Sequence, residues 1–305
     1  MSALKSNLLL LLAAAIWGLA FVAQRVGMEH VGPFTFNGVR FALGSLSLLP
    51  LLFYYQGKPR QAPVQSSGSV VLAGVLAGLI LFSAASLQQI ALLYTTAGKA
   101  AFITCLYIVL VPVLGIFLKH HVGNAIWFSC ILAVVGLYLL CVKESLTIGY
   151  GDFLLLAGAL IWAVHILLID YYASRVEVLK LSCYQFITCS VLSLAAALWL
   201  ETITLAGLSR ALMPILYGGI FSVGVAYTLQ VVGQKYSPPS HAAIILSMET
   251  VFATLGGFFL LDERLGLREL AGCGLMLAGM LLTQLQSIQA GPLAENVEGS
   301  GGEAG

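Results

Sequence analysis

The chain has 305 residues, of which 60% are hydrophobic and 9% charged, and its mean hydropathy is +0.98. A soluble domain carries about 25% charged residues because its surface faces water, so this composition excludes a water-soluble globule and makes the lipid bilayer the solvent of the outer surface. The formal net charge of +1 provides no field for nucleic acid.

A membrane-spanning helix needs about 20 mostly apolar residues. At the N-terminus, Lys5, a leucine run and Ala13-Ala14-Ala15 imitate a signal peptide with its cleavage site. The apolar run continues through Trp17, Phe21 and Val22, which predicts an uncleaved first span from Asn7 to Val26. Breaks at charge, proline and glycine clusters then separate Phe34 to Tyr54, Ser69 to Leu92, Gly98 to Leu118 and Asn124 to Val142. Five more follow: Asp152 to Tyr171, Leu179 to Glu201, Ala211 to Val232, Ser240 to Leu261 and Arg268 to Ser287. The prediction is an all-α polytopic membrane protein with ten transmembrane helices. Only Gln56 to Gly68 resembles a real loop, and the glycine-rich tail over 289–305 is expected to be disordered.

Small residues recur within the spans, as in the GxxxG of Gly74 and Gly78 and in Gly218-Gly219, Gly256-Gly257, Gly272, Gly274 and Gly279. In lipid such residues let helix backbones approach closely. Packing inside one bundle is the expected use, and the sequence leaves monomer and homodimer both open. The six cysteines fall in or at the ends of apolar runs without metal-ligand spacing, as small apolar side chains do.

The two halves of the chain match. A shift of 145 lays Leu9-Leu10-Leu11 on Leu154-Leu155-Leu156, Ile16-Trp17 on Ile161-Trp162, Phe41 on Phe186 and Ser45 on Ser190. A shift of 142 lays Leu87-Gln88 on Leu229-Gln230, Tyr94 on Tyr236, Ala100-Ala101 on Ala242-Ala243 and Phe117-Leu118 on Phe259-Leu260. Residues 1–145 and 146–288 are therefore read as two five-helix repeats. Five is odd, so the second enters the membrane in the opposite orientation. Such a 5+5 inverted repeat is an architecture that secondary transporters use to alternate access around a midplane site.

These residues carry a family resemblance over essentially Leu8 to Leu285. Trp17-Gly18 in the first span, Arg40-Phe41 in the second, and the stretch from His241 through Ser247-Met248-Glu249 and Gly256-Gly257 to Asp262-Glu263-Arg264 are similar to the drug/metabolite transporter superfamily. Within it the chain resembles the ten-helix transporters built from two EamA-type domains. That family usually places proline directly after the residue matching Glu249, whereas Thr250 stands here, so a proline-made kink is not expected at this point. The first half keeps a related proline, Pro112. The resemblance implies a plasma (inner) membrane protein with both termini cytoplasmic, a cavity between the halves, and efflux of metabolites. Charge bias does not orient the chain independently. Lys5, Lys58, Arg60, Lys119, Arg175, Lys180 and Lys235 would lie on one side, and Arg25, Lys99, Lys143, Arg210, Arg264 and Arg268 on the other.

An ionisable residue inside a span costs about 2.5–3.5 kcal/mol on insertion scales, so it needs a reason to be there. Glu249 lies near the middle of the ninth span, too deep for a short side chain to reach water. It is the candidate for proton coupling or for binding a substrate amine, against the plainer role of a carboxyl bonded to a neighbouring helix. Arg40 is the candidate for a substrate carboxylate, against a cation that partly snorkels. Gln185 stands at its repeat position. Trp17, Phe21 and Gln24 share one helical face, as do Trp162 and His165. Gln89 in the third span and Tyr227 and Gln230 in the eighth complete the candidate cavity lining, with Tyr107 at the repeat position of Glu249. Asp262 and Glu263 beside Arg264 read as charges fixing a helix end.

No HExxH, GxSxG or P-loop pattern occurs, and the adjacent His120-His121 pair has no third ligand nearby. The sequence thus calls for no metal or cofactor and supplies no enzyme signature. The expected partners are lipid and a small solute. One acid, one base, aromatics and amides suit an amino acid or related zwitterion, and a lipophilic cationic drug nearly as well.

Overall fold

The computed structural model describes residues 3–55, 67–95, 97–120, 122–141, 149–260 and 266–289. Residues 56–66 of the loop expected from Gln56 to Gly68, the tail beyond 289, and Asp262, Glu263 and Arg264 lie outside these residues, while Ser67 and Gly68 already belong to a helix.

The described residues form helices joined by turns and short irregular segments, with no strand among them. The first half contains α1 (Ala3–Met28), α2 (Pro33–Tyr55), α3 (Ser67–Ala91), α4 (Ala97–Thr104), α5 (Tyr107–Phe117) and α6 (Asn124–Cys141). The second contains α7 (Tyr150–Ala173), α8 (Val178–Leu200), α9 (Leu205–Arg210), α10 (Leu212–Leu216), a π-helix (Tyr217–Tyr227), α11 (Thr228–Gln234), α12 (Pro239–Leu246), α13 (Glu249–Leu260) and α14 (Leu267–Gln289). Seven described stretches are long and apolar enough to cross a membrane: α1, α2, α3, the α4–α5 run, α7, α8 and the run from Leu212 to Gln234. The other expected spans correspond to α6, whose apolar stretch Asn124–Leu139 is shorter, to α12 with α13, and to α14.

Helices of the first half pack mainly on helices of the second. α2 lies on α8 and the π-helix, α3 on α7 and α8, α1 on α13, the π-helix and α11, and α6 on α14. The two halves therefore share one interior. Gly18 shows how close this packing is. A Cβ built there would lie 2.6 Å from the Glu249 carbonyl oxygen and 2.7 Å from the Ala253 nitrogen, so α1 rests on the α13 backbone. Gly74 and Gly78 face Tyr184 and Thr188 of α8, which accounts for the GxxxG pattern inside the chain.

Three predicted spans differ in form from uninterrupted helices. The fourth and ninth tighten into 3₁₀ turns at Cys105–Leu106 and Ser247–Met248, shown by Leu106 N–H donating to the Ile103 carbonyl (3.2 Å) and Met248 N–H to Ile245 (3.1 Å). The two breaks are 142 residues apart. In the ninth span no proline is needed. The Ser247 hydroxyl donates to the Ile244 carbonyl (2.8 Å) and the Thr250 hydroxyl to the Ser247 carbonyl (2.8 Å), a back-bonding that bends helices. In the fourth, Pro112 has no N–H for the Ile108 carbonyl, which instead accepts from the Cys130 thiol at 3.4 Å. The eighth span is α10, the π-helix and α11 in succession, preceded by the short α9.

Candidate functional site

The two tightened turns place their following residues against each other in the interior. Tyr107 opens α5 and Glu249 opens α13. The Tyr107 hydroxyl and the Cys105 thiol both donate to Glu249 Oε1, each at 3.3 Å. Glu249 thus reaches a hydroxyl from its own repeat position.

A cavity of about 40 Å³ opens beside this contact, lined by Trp17, Phe21, Gln24, Arg40, Gln88, Thr104, Tyr107, Trp162, Ile166, Ser222, Tyr227, Gln230, Leu246 and Glu249. That volume holds about two or three waters, and no amino acid. Tyr227 is the aromatic hub. Its ring centroid lies 4.7 Å from Trp17, 6.2 Å from Trp162 in a near-parallel stack, and 5.9 Å from Phe186. Polar atoms are fixed around it. Trp17 Nε1 donates to the Ser222 carbonyl of the π-helix (3.1 Å), Trp162 Nε1 donates to Gln88 Oε1 (3.1 Å), and Gln88 Nε2 donates to Gln24 Oε1 (3.4 Å).

Arg40 is 3% exposed, with its guanidinium 5.5 Å from the Phe36 ring centre and 5.1 Å from that of Phe41. Among the described residues no carboxylate or hydrogen-bond acceptor engages it, and its Nε is buried without a partner. A buried charge is costly unless paired. The face of an aromatic ring offsets part of that cost.

Of the residues singled out from the sequence, Trp17, Gln24, Arg40, Tyr107, Trp162, Tyr227, Gln230 and Glu249 line the cavity. His165, Gln185 and Gln89 do not. His165 Nε2 meets Gln185 Oε1 at 3.1 Å, and the His165 ring stands edge-on to Trp162 and Tyr227, so this pair lies behind the aromatic wall. Gln89 is fully buried, and neither its Nε2 nor its Oε1 has a hydrogen-bond partner. The third-span amide on the cavity is Gln88, one position away. The duplication carried that signal, because Gln88 is the repeat mate of Gln230. Phe21, Thr104, Ile166, Ser222 and Leu246 also line the cavity, and four of them are repeat mates: Phe21 with Ile166 and Thr104 with Leu246. Together with Trp17 and Trp162, Gln88 and Gln230, and Tyr107 and Glu249, the wall contains five pairs of positions offset by 145 or 142.

The model of the EamA-like transporter family matches the chain twice, over residues 4–142 and 149–285. The chain belongs to this family. An uncharacterized transporter of Archaeoglobus fulgidus is 31% identical over 289 residues, covering 93% of this chain and 87% of its own. The uncharacterized transporter YoaV of Bacillus subtilis is 21% identical over 273 residues, covering 88% and 92% of the two chains. A solved crystal structure at 18% identity has the same fold, with a TM-score of 0.76 over 94% of this chain and 99% of its own. The protein is accordingly a multi-pass membrane transporter.

Proposed function

We propose that the protein is a secondary transporter that exports small zwitterionic metabolites such as amino acids by alternating access. Ten membrane helices form two inverted five-helix repeats, residues 1–145 and 146–288, with both termini cytoplasmic in the plasma membrane. The solute carboxylate binds Arg40 and its ammonium binds Glu249, which also carries the coupling proton. Trp17, Trp162 and Tyr227 enclose the body of the solute, while Gln24, Gln88 and Gln230 bond its polar atoms. His165 and Gln185 hold the aromatic wall from behind.

The observation that carries this reading is the Arg40 guanidinium, buried on a cavity and making no ion pair among the described residues. The five repeat-related pairs in the cavity wall support placing the site between inverted halves, where alternating access requires it. The cavity of about 40 Å³ holds about two or three waters, and under this reading the halves separate to load a solute.

A second reading is efflux of lipophilic cations, favoured by the aromatic wall and by Glu249 as counter-charge. Counterflow in proteoliposomes containing only this protein separates the two. Zwitterion transport is expected to disappear in Arg40→Gln while the protein still inserts, and Glu249→Gln is expected to flatten the pH dependence. Full zwitterion transport by Arg40→Gln would remove this reading. Cation counterflow that survives Arg40→Gln and fails in Glu249→Gln would establish the second.

A further inference from the structure

A second and larger cavity, about 330 Å³, lies at the end of the bundle where Ser237 meets Asn7 at the start of α1. It is bounded by the turn after α5, the end of α7 and the start of α12, and it brings together His120, Asp170 and His241. These residues come from separate segments, and the local structure fixes each of them.

His120 is held by an unusual helix end. Lys119 adopts a left-handed backbone, φ 62°, without being glycine. The His120 N–H donates to the Gly115 carbonyl (2.9 Å) and the Lys119 N–H to that of Ile116 (2.9 Å), which closes α5 in a Schellman motif. This folds the His120 ring back over Gly115, with its Nδ1 3.6 Å from where a Cβ would stand. His241, in the first turn of α12, has a buried Nδ1 without a hydrogen-bond partner. Among the described residues, no hydrogen bond or ion pair engages the Asp170 carboxylate. The nearby cation Arg175 stacks over the Tyr171 ring and is bonded to the Tyr171 carbonyl.

The chamber therefore holds one carboxylate and two imidazoles with unfilled bonding capacity, between apolar walls that include Val122, Ile126 and Pro239. The three groups do not converge at metal-ligand spacing. The Asp170 carboxylate is the acidic group of the chamber. An ammonium group, a cation with three donors, matches the carboxylate, and the apolar walls match an organic body, with the two imidazoles at the chamber wall. The volume lies at the small end of the range for ligand pockets, which begins at about 300 Å³.

We propose that this chamber is an entrance site that binds small organic ammonium solutes before they reach the central cavity. It stands in line with that cavity along two helices. On α7, Asp170 lies one turn beyond Ile166 of the central wall, about 6 Å at helical rise. On α12, His241 lies five residues before Leu246, about 7.5 Å, and the residues between them, Ala242 to Ile245, are all buried. One layer of apolar packing separates the chamber from the transport site. The proposal deepens the transport reading, on which it rests for the onward path, but ammonium binding in the chamber is tested apart from transport.

The test is calorimetric titration of the purified full chain in nanodiscs with phenethylammonium and with 3-phenylpropionate, which share a similar body and differ in charge. Asp170→Asn is expected to bind phenethylammonium at least tenfold more weakly than wild type, and wild type to bind 3-phenylpropionate at least tenfold more weakly than phenethylammonium. His241→Gln, expected to weaken binding at least threefold, is the second variant should Asp170→Asn not fold. Wild-type affinity in Asp170→Asn, or in His241→Gln where that variant stands in, overturns the proposal, as does equal binding of 3-phenylpropionate or no binding of phenethylammonium by wild type. Binding lost in Glu249→Gln and kept in Asp170→Asn also overturns it and assigns the ammonium to the central cavity alone. None of these results touches zwitterion counterflow, whose loss in Arg40→Gln tests the transport reading separately.

Discussion

Removing the Glu201 carboxylate is expected to destabilise the protein at a contact between its halves. Helix α2 begins at Pro33, after a glycine that has no side chain to cap it, and Glu201 at the end of α8 takes the capping role from outside the helix. Oε1 accepts from the Phe34 N–H (2.8 Å), while Oε2 accepts from the Thr35 N–H (2.8 Å) and the Thr35 hydroxyl (2.7 Å). These are the free donors of a helix start, where a negative charge is also favoured. A side-chain cap is worth about 0.5–2 kcal/mol, and a hydrogen bond to a charged group about 1.5–3 kcal/mol. The three bonds share one partly exposed carboxylate, so they do not add, and Glu201→Ala is expected to cost about 2–4 kcal/mol. Glu201→Gln keeps one oxygen, best placed on Thr35, and turns its NH₂ toward the Phe34 N–H, for an expected cost of about 1–2 kcal/mol. The assay is unfolding of the purified protein in mixed micelles by SDS titration, followed by tryptophan fluorescence, with Thr35→Val closing a double-mutant cycle. A Glu201→Ala variant within about 0.5 kcal/mol of wild type, the range of an ordinary surface change, would refute the capping argument.

Lys119→Gly is expected to raise stability in the same assay by about 1 kcal/mol, because it relieves a left-handed backbone that only glycine adopts freely; a loss of stability would show that the lysine side chain matters more than the strain. Gly18→Ala is expected to cost about 1–3 kcal/mol by overpacking and to reduce counterflow, since the new methyl pushes α1 off the backbone that carries Glu249; unchanged transport and stability would show that the two helices have room to part. Gln88→Leu is expected to abolish counterflow while the folded yield stays near wild type, and Gln89→Leu to preserve counterflow and leave stability unchanged or higher, because it removes buried polar atoms without partners. The reverse ranking would place the third-span amide where the sequence first put it.

Much of the helix layout was legible because length and apolarity are local properties of the chain. Helix α1 runs over Ala3–Met28 where Asn7 to Val26 was expected, and α8 over Val178–Leu200 where Leu179 to Glu201 was expected. The interruptions were not legible. The turn at Ser247–Met248 is made by two hydroxyls bonding back to carbonyls, and serine or threonine within an apolar run does this only in some settings. The π-helix from Tyr217 to Tyr227 carries no proline or other local mark of its altered winding. Candidate residues were found where two weak signals agreed, as for Trp17 with Trp162 and Tyr107 with Glu249. His165 was placed by the helical face it shares with Trp162, and packing turned it onto Gln185. Glu201 looked like a charge at the end of a span, and nothing in the sequence ties it to Thr35, 166 positions away.

The cavity wall keeps paired positions while its charges are unpaired. Glu249 faces Tyr107 at the matching position, and Arg40 corresponds to Gln185, which the aromatic wall covers. One half of the chain thus contributes the cation on α2, and the other contributes the acid on α13. Under the proposed function, a zwitterion bridging Arg40 and Glu249 ties a helix of one half to a helix of the other. Its binding energy then favours conformations in which the halves close around it, since a ligand shifts an equilibrium only by its differential affinity for the two states. An amino-acid amide keeps the ammonium and lacks the carboxylate, so it engages α13 without α2. It is expected to bind and to inhibit, but not to exchange. Counterflow of the amide at the rate of the parent amino acid would show that closure does not depend on bridging the halves.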